Sequence, residues 1–255
     1  ANAATDLSMT GATSTQGLDW IRRTLVVAEI AISIVVLIAA GLMIQTFATL
    51  RPTQPGFDPR GKISTLLQQP ERSEEPHARF FGRAIDRLRA LPGVDAVEAT
   101  SYVPMSGSFT PLRMEIEGER ILAYGSSVSA GYFTTMKVPV LRGRPFNADD
   151  GPASAWVAIV NDRLARRIRP DGAVLGLRLR SRPPSSPIGP GYRRQSEAVE
   201  WQIVGVVGDT RTVGRDIASP PEIYMPFEQV PLHPMHLVLQ TPRWRDPAFV
   251  RDVRL

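Results

Sequence analysis

The sequence predicts an α+β domain, with two lobes possible, behind a single N-terminal transmembrane helix. Three observations lead there. Leu25 to Ile44, LVVAEIAISIVVLIAAGLMI, is apolar throughout except for one charge, Glu29. At about 1.5 Å per residue it spans about 30 Å, the hydrocarbon thickness of a bilayer. Residues 51–255 alternate strand-like and helix-like patterns without an internal repeat, and the whole chain, 43% apolar and 22% charged, has the composition of a folded protein.

A helix is the expected form of the apolar run because lipid offers no partner to unpaired backbone groups. The helical pattern continues over Thr24 to Leu50. A soluble core helix is seldom apolar on every face for five turns. A signal peptide has a shorter apolar region and a small-residue cleavage site, whereas this run passes into Gln45-Thr46-Phe47. Arg22 and Arg23 flank one end and Arg51, Arg60 and Lys62 the other, so basic residues do not set the orientation. Glu29, about one turn inside the membrane edge, reads as snorkelling toward Arg22 or as a polar contact to another membrane helix.

Pro52, Pro55 and Pro59 end the helix and make an extended connector. Lys62 to Gln68 then reads as a strand. Pro76 to Ala90 reads as an amphipathic helix, with Phe80, Phe81, Ala84, Ile85 and Leu88 on one face, and Leu91-Pro92-Gly93 stops it. Val94 to Val103 follows as a strand, completing a strand–helix–strand unit. Further strands are expected at Leu112 to Glu117, turning at Gly118, and at Ala123 to Val128. A short helix at Ala130 to Met136 precedes a strand at Val138 to Leu141 and a turn at Arg142 to Pro145. Trp156 to Val160 reads as a buried strand, and Asn161 as the cap of a helix over Asp162 to Ile168. Strands are expected at Leu175 to Arg180, Trp201 to Val207, Pro221 to Pro226 and His236 to Thr241, before a final helix from Asp246. Ser181 to Gln195, rich in proline, reads as a mobile loop or hairpin tip.

Several function classes fall away. The absence of cysteine excludes disulfides, thiolate metal sites and a cysteine nucleophile. The net charge of +5 rests on scattered arginines, with Lys62 and Lys137 the two lysines, and no basic stripe interleaves with aromatics, so no nucleic acid is expected. Gly56 to Lys62, GFDPRGK, fits a phosphate-loop spacing but continues with Ile63 and lacks the strand before and helix after, so a turn into a strand is the reading. Gly205 to Gly208 and Gly189 to Gly191 open no helix. Ser106 has no histidine partner in view. Pro234 between His233 and His236 argues against a metal pair, and Asp149-Asp150 and Glu74-Glu75 read as exposed turn acids. No catalytic residue, cofactor or metal ligand is expected.

The order of segments resembles the permeases of the MacB/FtsX class of ABC transporters, in particular their duplicated type. The resemblance runs from Arg22 to about Leu255. It rests on RRTLVVAEIAISIVVLIAAGLMIQTFATL, PGFDP at Pro55 to Pro59, RFFGRAIDRLRALPGVDAVEATSYVPMSG at Arg79 to Gly107, and VSAGYFTTMKVPVLRGRPFNADD at Val128 to Asp150. It continues with VAIVNDRLARRIRPDGAVLGLRLR at Val157 to Arg180 and WQIVGVVGDTRTVGRDIASPPEIYMPFEQ at Trp201 to Gln229. Glu29 departs from the glutamine common there, and Ser181 to Gln195 is longer than the pattern.

The resemblance implies a cytoplasmic tail or linker at 1–21 and an inner-membrane helix at 22–50, with most of the chain periplasmic. It implies a ferredoxin-like lobe at 52–108 and 230–255 and an inserted mixed lobe at 109–229. The implied partners are the bilayer, the remaining permease helices of a longer parent, an ABC ATPase subunit, a second copy or pseudo-dimer half, and a periplasmic client of efflux or of lipoprotein or peptide export. The implied role is non-catalytic mechanotransmission. A single-span sensor or scaffold and a membrane-anchored hydrolase are the competing classes.

Overall fold

The computed structural model describes residues 13–50, 55–70, 75–106, 109–182, 198–211, 218–232 and 234–253. The chain divides into two compact units, Ala1–Thr53 and Gln54–Leu255.

The first unit contains helix α1, Thr13–Leu50. Its segment Trp20–Thr46 is long and apolar enough to cross a membrane, and none of it is buried. Ser33 donates to the Glu29 carbonyl at 2.8 Å and Thr46 to the Leu42 carbonyl at 2.8 Å, so both hydroxyls are satisfied within the helix. The helix begins inside the segment read from sequence as a linker. Membrane thickness sets only a minimum length, and no proline interrupts residues 13–50.

The second unit is built on one ten-stranded sheet. Strand β1 (Lys62–Leu67) leads into α2 (His77–Arg89) and β2 (Ala96–Thr100). β3 (Thr110–Ile116) and β4 (Glu119–Val128) form a hairpin whose two turn residues, Glu117 and Gly118, both have positive φ, as a type I′ turn requires. A short helix α3 (Tyr132–Met136) precedes β5 (Val140–Gly143), β6 (Val157–Asn161) and α4 (Asp162–Ile168). β7 (Arg178–Ser181), β8 (Val199–Val207), β9 (Glu222–Pro226), β10 (Met235–Gln240) and α5 (Pro247–Asp252) complete the order.

β10 lies between β1 and β2, antiparallel to both, so the strand–helix–strand unit is split by a strand from the far end of the chain. Side chains alternate in direction along a strand. Val97 and Ala99 of β2 and Leu237 and Leu239 of β10 therefore share the core with Phe81, Ile85 and Leu88 of α2 and Phe249 of α5, while Val238 joins a second core with Tyr132, Phe133 and Met136 of α3. Asp246 caps α5 by accepting from Ala248 N at 3.0 Å.

The rest of the sheet closes on itself. β4 pairs with β3, β3 with β7, β7 with β8, β8 with β6, β6 with β9, and β9 returns to β4 in parallel. Closure leaves no free edge within this six-strand ring. Leu112, Met114 and Ile116 of β3, Ile121 and Ala123 of β4, Leu179 of β7 and Trp201 and Ile203 of β8 belong to the main core. The residues alternating with them, Arg113, Glu115, Arg120, Leu122, Arg178, Arg180, Glu200 and Gln202, are exposed.

Candidate functional site

The motifs weighed for chemistry resolve into structure. Gly205 of the glycine pair lets the backbone at Arg144 approach, since a Cβ there would lie 2.4 Å from the Arg144 carbonyl oxygen. Asp150, read as an exposed turn acid, is buried: Arg144 holds both its oxygens at 2.7 and 2.8 Å, and Asn147 N donates to it at 3.0 Å. Burial pushes its pKa up, but these hydrogen bonds outweigh burial and hold it below the usual carboxylate range. Asp149 is exposed, and Glu75 pairs with Arg83 at 2.5 Å. His77 is buried and bonded to Gln69. His236 lies within β10, with its pKa lowered by burial. Ser106 sits in a turn, its amide donating to the Val103 carbonyl. Glu74, residues 183–197 and His233 lie outside the described residues. Among the described residues no group of three or more histidines and carboxylates is arranged to hold a metal ion.

The concentrated geometry is at the connector that follows α1. Gly56-Phe57-Asp58-Pro59-Arg60-Gly61-Lys62 is a turn entering β1, as its flanks suggested, and it is fastened to distant segments. The Pro55 carbonyl accepts from Arg211 N at 2.9 Å. Gly56, at φ +80°, lies so close to residue 209 that a Cβ would sit 2.0 Å from the Asp209 carbonyl oxygen. Phe57 packs on the core that holds Tyr132, Phe133 and Met136. Asp58 N donates to the Met136 carbonyl at 2.9 Å, satisfying a carbonyl that the end of α3 leaves open. The Gly61 carbonyl accepts from Thr241 N at 2.8 Å, just past β10.

Charge reinforces the turn. Lys137 terminates α3 in the left-handed region, φ +55°, and its Nζ reaches Asp58 Oδ2 at 2.7 Å. Asp58 Oδ1 accepts from Arg60 N at 3.0 Å. The Lys137 hydrogen bond first, then that of Arg60 N, brings the Asp58 carboxyl down to about 2. Burial lowers the Lys62 ammonium. Thus Lys62 and Lys137, the chain's two lysines, both lie at this turn.

The contacted segment 209–211 is itself tied into the sheet. Asp209 Oδ1 accepts from Arg163 N at 2.9 Å, and burial raises the Asp209 pKa. Thr210 Oγ1 donates to Glu222 Oε2 at 3.1 Å, which also accepts from Tyr224 OH at 2.7 Å. Asn161 Oδ1 accepts from both Leu164 N and Glu222 N at 2.9 Å, and its Nδ2 donates to the Pro220 carbonyl at 2.8 Å. One side chain therefore caps α4 and links β6 to β9. Asn161 as a cap was legible in the sequence. Asp58, Lys137, Asp209 and Arg211 were not singled out, and the signal for the first was the turn chemistry of PGFDP.

The connector of residues 55–62 is thus fastened to α3, to residues 209–211 and to Thr241. Residues 24–248 match the family model described as the MacB-like periplasmic core domain, and the chain belongs to that family. The match begins within α1, so the family includes the apolar helix. The periplasmic region of MacB from Actinobacillus actinomycetemcomitans is similar in fold, with a TM-score of 0.50 at 10% identity, covering 80% of this chain and 85% of that one. The extracellular domain of the noncanonic ABC-type transporter YknZ from Gram-positive bacteria aligns with a TM-score of 0.49 at 18% identity, over 74% and 88% of the two chains. No curated protein matches the sequence.

Proposed function

We infer that this chain is the mechanical, non-catalytic part of an ABC transporter permease, carrying motion driven by a partner ATPase to a periplasmic client of efflux or export. In this reading α1 crosses the inner membrane with its N-terminus cytoplasmic, and further helices of the parent and a second permease half complete the machine. The regions 52–108 plus 230–255 and 109–229 act as its two lobes.

The observation that carries the reading is the fastening of Pro55 to Lys62. Four backbone hydrogen-bond or packing points, to Arg211, Asp209, Met136 and Thr241, join the connector to segments far apart in sequence. A displacement of the connector is therefore shared by the strands that hold those segments, because packed elements move as bodies. A tether without a mechanical role needs only to be long enough.

The test is insertion of a short Gly-Ser stretch between Leu50 and Pro55 in the full permease with its ATPase. The expected result is ATP hydrolysis retained and transport lost, with the domain folded. Transport at the parental rate overturns the reading, and a function indifferent to ATP favours a single-span sensor or scaffold.

A further inference from the structure

The outer face of the six-strand ring is arginine-rich. On β7 and just beyond it, Arg178, Arg180 and Arg182 alternate with buried Leu179 and Ser181. On β3, Arg113 faces outward, and its neighbour Glu115 stands opposite Arg120 of β4 and Arg180 of β7. Leu122, opposite Arg113, is 48% exposed. Arg113, Glu115, Arg120, Leu122, Arg180 and Arg182 line a groove of about 1020 Å³, and Arg178 lies outside its lining.

Charge on this face is poorly neutralised. Arg178 makes a long contact with Glu200 at 3.3 Å, both exposed. Arg113, Arg120, Arg180 and Arg182 make no ion pair among the described residues, whereas seven other arginines of the domain do. Among the described residues, this face carries five arginines against Glu115 and Glu200. Across β4, β3, β7 and β8 the register alternates Arg120, Glu115, Arg180 and Glu200, while Arg113 stands opposite Leu122 and Arg178 opposite Gln202, so the excess charge rests on Arg113, Arg178 and Arg182.

Spacing selects the ligand. Same-face residues on a strand recur every 6.4–6.8 Å, roughly, so Arg178, Arg180 and Arg182 form a row at that interval. An extended polypeptide with acidic residues at alternate positions presents carboxylates at the same interval. The guanidinium fork grips a carboxylate through two hydrogen bonds. Exposed Leu122 beside the row gives an apolar side chain of such a segment a place to rest. We propose that the outer face of β3, β4 and β7 docks an extended acidic segment of a partner protein, carboxylates aligned on the row Arg178–Arg180–Arg182. The face shares no residue with the connector anchor, so the docking and coupling readings stand or fall separately.

The test uses the full 255-residue chain in a non-ionic detergent and a fluorescein-labelled octapeptide alternating glutamate with threonine, followed by anisotropy. A peptide of identical composition with its four glutamates in one block is the comparison. Expected are binding of the alternating peptide at least tenfold tighter than the block, and at least tenfold weakening in the variant R178Q/R180Q/R182Q. R182Q alone is expected to weaken binding by a smaller factor, and R167Q, at an exposed position of α4, to leave it unchanged. Circular dichroism identical to the parent establishes that the variants are folded, and R182Q carries the test if the triple variant is not. Equal binding of both peptides, binding untouched by the arginine substitutions, or preference for phosphatidylglycerol vesicles over the alternating peptide overturns the proposal.

Discussion

Replacing Gly56 with alanine isolates the close approach on which the connector anchor depends. At φ +80° a non-glycine residue costs about 1–2 kcal/mol. The new Cβ would stand 2.0 Å from the Asp209 carbonyl oxygen, far inside the contact distance of about 3.5 Å, so the two segments must part by more than 1 Å. The Pro55–Arg211 hydrogen bond, 2.9 Å long, is the adjacent contact that such parting breaks, at about 1 kcal/mol. The sum is about 2–3 kcal/mol, or roughly 30- to 140-fold in a local opening equilibrium. Gly118 supplies the control: its φ is +84° and nothing lies within 4 Å of its would-be Cβ. Hydrogen exchange of peptides covering residues 209–211 should therefore accelerate strongly in Gly56→Ala and not at all in Gly118→Ala, although both carry the backbone strain. Unchanged exchange in Gly56→Ala, or equal acceleration in both, would refute the close-approach argument.

Other outcomes follow from the same geometry. The folded pKa of Asp58 lies below its unfolded value of 3.8, so its contribution is present above pH 4 and is lost as pH falls toward about 2; Lys137→Met should move that acid transition in exchange at Asp58 N up toward 3.8, with the Arg60 N hydrogen bond retained, and an unmoved transition counts against the pair. Asn161→Ala removes the α4 cap and the hydrogen bonds from Asn161 to Glu222 N and to the Pro220 carbonyl, an expected loss of about 3 kcal/mol by denaturant unfolding; a loss below 1 kcal/mol would show the link is not needed. Trp201→Phe should cost less than a large core truncation, about 1–2 kcal/mol, because the fully buried indole N–H has no hydrogen-bond partner among the described residues and its removal relieves that cost. A loss above 4 kcal/mol would place an unseen partner on that nitrogen.

Much of the architecture is readable from local pattern. The apolar run of α1, the face of α2 carrying Phe81, Ile85 and Leu88, and the Asn161 cap each depend on residues within a few turns of one another. The alternation in β3, with Leu112, Met114 and Ile116 inward, is equally local. What local pattern does not carry is pairing across long separations. β10 enters between β1 and β2 from the far end of the chain, and the parallel β4–β9 contact closes the ring; neither leaves a periodic trace. Asp150 was misread because an Asp-Asp pair before a glycine has turn character, while its burial depends on the reach of Arg144. The anchor was hidden for the same reason: Asp58 and Lys137 are adjacent in space through α3, not in sequence.

The central claim is that the connector and the domain it enters move as one body. This chain has no cysteine, so, with any cysteine in the rest of the full permease replaced by serine, spin labels can be placed on Arg60→Cys in the connector and on Arg167→Cys, an exposed position of α4. Pulsed electron resonance should give one narrow inter-label distance that is unchanged between nucleotide-free and ATP-trapped states. A distance that shifts or broadens with nucleotide would mean that the connector slides on the domain, and the account of rigid transmission would be wrong.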